Sequence, residues 1–270
     1  MGERIRKGLR TLQSELPFLK ELKDGACFHA RRMLQTPHER DFAALRYLRP
    51  SANECFVDVG ANQGQSIESI LLAQPDATVV SFEATPTLGQ KLARRYERYR
   101  NVRVVPKGLS DCAGHFTLFV PAYKGFVYDG LASFDREAAT SWLNDERVFG
   151  FDPAKLVISE VACEIETLDA QKLAPLFIKV DVQGYEYNVL NGGRDTLRRY
   201  EPVLLLEAFK SDIRTVRLAE ELGYNEYYFD GSYLRRGSPT KGPNSFLITP
   251  RRIKALCSAA EMASTACVIS

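Results

Sequence analysis

Four acidic residues, Asp58, Glu83, Asp181 and Glu207, stand at or near the ends of apolar runs of the kind that form buried strands. Carboxylates ranged along one rim of a sheet can accept hydroxyl hydrogens, balance a cationic ligand or take a proton from an alcohol. Just after the first of them comes Gly60-Ala61-Asn62-Gln63-Gly64. Its two glycines permit a sharp bend and close approach of a ligand, ahead of a helix whose first N–H groups are unpaired. Glu83 follows Gly60 by 23 residues, a spacing at which a strand-end acid can hold both hydroxyls of a ribose. Turn and acid together point to a nucleoside-bearing cofactor, the plainer alternative being a structural turn. Pyrophosphate recognition favours Gly-x-Gly-x-x-Gly, from which this turn departs, so a nicotinamide dinucleotide is disfavoured. S-adenosylmethionine, with an amino-acid tail and no phosphate, suits the bend better.

To stand on one rim, these residues require a parallel sheet covered on both faces, and the sequence has that rhythm. Residues 55–59, 77–82, 102–105, 176–181 and 202–207 have the apolar character of buried strands, with helical spacing at Ile67, Ile70 and Leu71 and at Leu88, Leu92, Tyr96 and Tyr99. Extended segments are predicted at 115–120 and 156–166, and a helix over 185–190 stops at Asn191-Gly192-Gly193. Ser211 is predicted to cap a helix through Leu222, and 224–230 and 244–249 to form two last strands around a Gly/Pro-rich turn. Residues 122–155 are rich in aromatics and glycine without a regular period, which predicts a structureless insertion for substrate recognition, or else one packing a small cluster of its own. Residues 1–50 form a helical cap or oligomerisation segment in this reading, and 51–270 the main domain.

The ordered series Val57-Asp58-Val59-Gly60-Ala61-Asn62-Gln63-Gly64, Phe82-Glu83-Ala84, Gly108-Leu109-Ser110-Asp111, Glu166-Thr167-Leu168-Asp169 and Ile178 to Glu186, with the strand ending in Glu207, resembles the FkbM family of S-adenosylmethionine-dependent methyltransferases over roughly residues 54–210. The resemblance implies an α/β class I, Rossmann-like methyltransferase fold. Its sheet has seven strands, mostly parallel, in order 3-2-1-4-5-7-6 with the seventh antiparallel and helices on both faces. It also implies methylation of a hydroxyl on a sugar, glycan or secondary metabolite. By the same resemblance Asp58, Gly60, Asn62 and Gly64 border the methionine part, Glu83 holds the ribose, and Ser110 or Asp111 approaches the adenine. Asp181 faces the reacting methyl group as the catalytic residue. Gln183 departs from the Glu that many relatives carry there. A partly desolvated Asp181 could serve as general base. Mg²⁺ held by Asp181 with Glu186 or Glu207 is the alternative and is not favoured. His115 and His38 are rival bases.

Composition bounds the rest. A chain of 270 residues, 45% hydrophobic and 26% charged, can bury a sizeable core and is not disordered. No apolar run approaches the roughly 20 residues of a membrane span, and the N-terminus lacks the pattern of a secretory signal, so a cytoplasmic setting is expected. A net charge of +2 disfavours nucleic acid as partner. Residues 1–50, however, hold eleven Lys/Arg against six Asp/Glu, a basic arm that is either a solvated helical face or a weak contact for an anionic membrane surface or acidic substrate. The six cysteines show no metal-binding spacing and are expected reduced. A homodimer is compatible with all of this. The rival readings are a binding protein that keeps the cofactor pocket without transfer, and a methyltransferase acting on nucleic acid or protein.

Overall fold

A computed structural model describes residues 3–16, 33–238 and 244–262 of the chain. Its elements in chain order begin with α1 (Glu3–Glu15), a 3-10 helix (Arg40–Tyr47), β1 (Cys55–Val59), α2 (Gln65–Ala73), β2 (Val79–Phe82), α3 (Pro86–Tyr96), β3 (Val102–Val105) and β4 (Gly108–Leu109). Next come β5 (Gly114–Tyr123), β6 (Phe126–Val127), α4 (Arg136–Ser141), β7 (Leu156–Glu166), β8 (Pro175–Val180), α5 (Glu186–Asn191) and α6 (Arg194–Tyr200). The chain continues with β9 (Val203–Glu207), α7 (Ile213–Glu221), β10 (Asn225–Phe229), β11 (Leu234–Arg236), β12 (Asn244–Ile248) and α8 (Pro250–Met262). Two compact units result: residues 35–114 with 164–270, and residues 1–34 with 115–163.

The larger unit holds an eight-stranded sheet in the order β11-β10-β12-β9-β8-β1-β2-β3. The run from β9 to β3 is parallel, whereas β12 lies antiparallel to both of its neighbours and β11 antiparallel to β10. The seven-stranded sheet expected from sequence is thus corrected to eight mixed strands. The added strand arises because Asp230 accepts hydrogen bonds from the N–H groups of Ser232 and Tyr233, both 2.8 Å, folding the chain back on β10 where composition suggested only a turn. Every residue of β1 and β8 is buried, as central strands covered on both faces require. Phe56 packs on one face with Ile67, Ile70, Leu92 and Tyr96, and Val57 and Val59 on the other with Val189, Leu190, Leu197 and Leu218.

Helix starts follow local chemistry. Asp212, rather than Ser211, caps α7 by accepting from the Arg214 N–H at 2.9 Å. The 3-10 helix buries Phe42 and Leu45 in the first face of the large unit, while α1 belongs to the small one. Cys55 and Cys163 are buried, with thiols toward the Ala174 and Phe116 carbonyls, and Cys112 is exposed. Cys27 and Cys267 lie outside the described residues.

In the small unit Tyr123, Phe126, Tyr128, Leu143 and Val148 bury one another, Tyr123 stacks on Phe151 at 5.0 Å, and Asp135 caps α4. Residues 122–155 are therefore folded, not structureless. Their apolar residues serve a hairpin, a short helix and turns in succession, so no single period appears in the sequence.

Gly60 leaves no room for a side chain. Its φ is 89°, and a Cβ there would stand 1.9 Å from the Asp181 carbonyl oxygen. Gly60→Ala is expected to cost about 2–4 kcal/mol in chemical denaturation. Gly150→Ala, at φ 58° in open space, should cost only about 1 kcal/mol. Equal losses would contradict the packing described.

Candidate functional site

Strand register assembles the charges. Asp58 on β1 lies opposite Lys179 on β8 and opposite Ser81 on β2. Asp58 is fully buried, one residue inside the end of β1, so it lies beneath the turn rather than at its edge. Its Oδ2 accepts from Ser81 Oγ at 2.7 Å; among the described residues its buried Oδ1 meets no donor in hydrogen-bonding geometry, Ser66 being the least of the groups that act on this carboxyl. Burial raises its pKa against the attraction of Lys179. Lys179 Nζ donates to Asp181 Oδ2 at 3.0 Å. Burial opposes the lysine's charge most strongly, yet Asp181 and Asp58 together hold the ammonium above its ordinary pKa. Asp181 is opposed by burial too, but Lys179, Glu207 and Gln183 outweigh it, and the carboxyl stays below the usual range.

Pairing of Val180 with Leu206 sends Asp181 and Glu207 out of adjacent parallel strands side by side. Burial first, then the neighbouring Asp181 carboxyl, pushes Glu207 up to about 7, with Glu39 adding to the effect. Asn244 of β12 lies opposite Glu207, and its Nδ2 donates to Glu39 Oε2 at 2.7 Å and Asp41 Oδ2 at 3.1 Å. Lys179, Glu39, Asn244 and Ser81 were not singled out as site residues by sequence. Ser81 and Lys179 sit mid-strand and carry the alternation that a register argument could have used, whereas Glu39 stands in a charged run before the first strand with no signal.

On the other side of β1, Gly60 and Ala61 both donate to the Phe82 carbonyl at 3.0 Å, folding the turn over the end of β2. Asn62, at φ 48°, presents its N–H to Glu83 Oε2 at 2.8 Å, and Thr85 N–H meets Glu83 Oε1 at 2.9 Å. Burial outweighs these bonds and leaves the Glu83 pKa raised. Gly64, at φ 87°, is the N-cap of α2, and Arg95 braces the turn by donating to the Gln63 carbonyl at 2.8 Å. Gly60, Asn62, Glu83 and Asp181 are thereby brought into one connected set, with Gly64 closing the turn.

Ser110 is buried, its N–H on the Glu166 carbonyl at 2.9 Å and its hydroxyl on Asp111 Oδ1 at 3.1 Å. Burial works against the Asp111 charge, but hydrogen bonds led by Asn188 and Ser110 lower its pKa. These two follow Gly108, where a Cβ would touch Ala84 beside Glu83. Gln183, at φ 52°, donates Nε2 to Asp181 Oδ1 at 3.0 Å. A neutral amide here supports the anion, where a glutamate would add a third negative group. Glu186 Oε1 accepts from the Val182 and Gly184 N–H groups at 3.2 Å each, pinning the loop. Among the described residues no three His, Cys, Asp or Glu side chains are grouped as a metal ion needs. The His38 N–H is tied to Ser69 Oγ at 2.8 Å on α2, and His115 lies on β5 of the small unit.

The family model described as "Methyltransferase FkbM domain" matches residues 58–226. The crystal structure of a methyltransferase FkbM from Methylobacillus flagellatus KT is similar at 17% identity and a TM-score of 0.46, over 77% of this chain and 48% of that one. This chain thus spans about half of that protein's length. A precorrin-6y C5,15-methyltransferase from Geobacter metallireducens GS-15 is similar at 18% identity and a TM-score of 0.35, over 76% of this chain and 82% of that one. No curated protein matches the chain.

The raised pKa of Glu207 has a thermodynamic signature. A carboxyl whose folded pKa is raised stabilises the fold in full below its ordinary value of 4.5 and ceases to do so as pH rises through about 7. Between about pH 5 and about pH 8, the melting temperature of the native chain should fall more steeply than that of Glu207→Gln. Parallel curves would show that the Glu207 pKa is not raised in the folded chain.

Proposed function

The chain belongs to the methyltransferase FkbM family, and on that premise we propose that it is an S-adenosylmethionine-dependent O-methyltransferase whose acceptor is a hydroxyl of a sugar, glycan or secondary metabolite. One observation carries the reading. The rim beside the Gly60 turn offers the carboxyls Glu83, Asp181 and Glu207, and the ammonium within it, Lys179, is taken up by Asp58 and Asp181. A pyrophosphate would meet like charge there, whereas a sulfonium with an amino group and ribose hydroxyls meets its complement. The donor set therefore fits this cofactor, which supplies an electrophilic methyl group when bound.

In the proposal Glu83 accepts the ribose hydroxyl hydrogens through the lone pairs that Asn62 and Thr85 leave open. Asn62 and the two glycines form the wall for the methionine part, and Ser110 with Asp111 borders the adenine. Asp58, buried beneath the turn, holds Lys179 in place. Asp181, kept ionised by Lys179 and Gln183, is the anion that favours positive charge at the reacting centre. The acceptor proton passes to a carboxylate oxygen of Glu207, whose pKa near 7 suits a base working at neutral pH better than the depressed Asp181 does. General base work, assigned to Asp181 from sequence, thus moves to its neighbour. Acceptor choice is assigned to residues 122–155 on their aromatic and glycine-rich sequence.

Calorimetric titration with S-adenosylmethionine tests the cofactor claim. Glu83→Ala should weaken binding by about tenfold or more, since a hydrogen bond to a charged group contributes about 1.5–3 kcal/mol. Asp181→Asn and Glu207→Gln should keep most of the affinity and lose S-adenosylhomocysteine release with a panel of sugar and polyketide alcohols. Unchanged affinity in Glu83→Ala would remove the basis of the assignment.

A further inference from the structure

The rim does not end at Glu207. In β9 the side chains of Val203 and Leu205 pack in the first core face and those of Leu204 and Leu206 in the second, so alternation places Glu207 on the first. The same alternation places Asn244 there through Phe246 and Ile248 of β12, and Lys179 and Asp181 through Phe177 of β8. This is the face that the 3-10 helix covers with Phe42 and Leu45. Asn244, 7% exposed, lies directly opposite Glu207, where cross-strand side chains are nearest neighbours. Its amide nitrogen has two hydrogens, and both are taken: one by Glu39 Oε2 at 2.7 Å, the other by Asp41 Oδ2 at 3.1 Å. One buried amide thus seats two carboxyls beside a third.

The nearest cations in sequence are engaged elsewhere. Arg40, between Glu39 and Asp41, donates to the Asp230 carbonyl at 3.1 Å, and Lys210, shortly after Glu207, is held by Glu226 at 2.8 Å. The charged groups that face Glu207 are therefore Asp181 and Lys179 from the β8 side, and Glu39 and Asp41 through Asn244. The Glu39 charge works on Glu207 in the same sense as that of Asp181 and against Lys179, and it adds to the hold on the Lys179 ammonium. Burial opposes the Asp41 charge first, and the Asn244 bond offsets part of this. A carboxylate with negative neighbours takes up a proton more readily than an isolated one. On the premise that Glu207 receives the acceptor proton, we propose that Glu39, seated by Asn244, is a positioning residue for that base: its charge strengthens Glu207, and the amide fixes the distance over which it acts.

Carbon-13 NMR of the full chain, labelled at the glutamate side-chain carboxyl, tests this without acceptor or cofactor. The Glu207 signal is identified by its loss in Glu207→Gln. Glu39→Gln keeps an oxygen for Asn244 and removes only the charge, so a merely structural contact would survive it. The titration midpoint of Glu207 should fall by about 0.5 pH or more in Glu39→Gln, and in the same sense in Asn244→Ala, which unseats both acids. Glu220→Gln, on α7 against the other face of the sheet, should leave it in place. Melting curves establish that the variants remain folded. In turnover, the acid limb of kcat should move to lower pH by the same amount in Glu39→Gln, with the KM for S-adenosylmethionine unchanged. A Glu207 midpoint unmoved in both variants, an equal movement in Glu220→Gln, or an acid limb that stays where it was would each overturn the proposal. Calorimetric binding of S-adenosylmethionine to the native chain reports on the underlying reading separately, because it does not depend on Glu39.

Discussion

The central sheet is organised around a lysine that has nowhere to go. Lys179, 7% exposed, lies across from the fully buried Asp58 and reaches Asp181 at 3.0 Å. Asp58 and Lys179, both taken from water, persist only if they compensate each other, with the partly exposed Asp181 adding to the balance, because an unpaired charge in that position costs several kcal/mol. The requirement fixes the register of β1 against β8, since a slip of one residue would turn Asp58 and Lys179 to opposite faces. It also fixes where both strands end. Asp181 must leave β8 directly above the lysine, which brings its carbonyl against Gly60 and leaves no room for any larger residue at the turn.

From that point the chemistry of the rim follows by proximity. An anion held by Lys179 and Gln183 raises the pKa of its neighbour Glu207, so two similar carboxyls titrate apart. Across β1 the turn closes on Glu83 through the Asn62 N–H, joining the glycine turn to the acid after β2 by one hydrogen bond. Asn244 and Glu39 extend the rim on the β12 side. Elements far apart in sequence meet there because β1, β8, β9 and β12 are consecutive in the sheet.

Much of this was legible in the chain. The succession of buried strands, the Gly60–Gly64 turn, Glu83 and Asp181 all carry short-range signals, namely apolar runs, glycines at a strand-to-helix junction and acids at strand ends. What escaped had long-range causes. β11 depends on Asp230 gathering two N–H groups, which looks like an ordinary turn in sequence. Residues 122–155 pack around Tyr123 and Phe126 through contacts with no single period. Glu39 reaches the rim through Asn244, about two hundred residues on. The opposite pKa shifts of Asp181 and Glu207 depend on side-by-side strand ends, which no pattern in either strand reveals. α1 shows the limit in another way: its amphipathic spacing is plain, but which side faces the protein is decided by Tyr128, Trp142 and Phe149.

A crystal structure of the chain soaked in S-adenosylmethionine tests the central claim most directly. The account places the ribose hydroxyls on Glu83, the methionine part along Gly60 to Gly64, and the sulfonium toward Asp181. Density for the ligand elsewhere, or a rim that takes up a pyridine dinucleotide in its place, would contradict it.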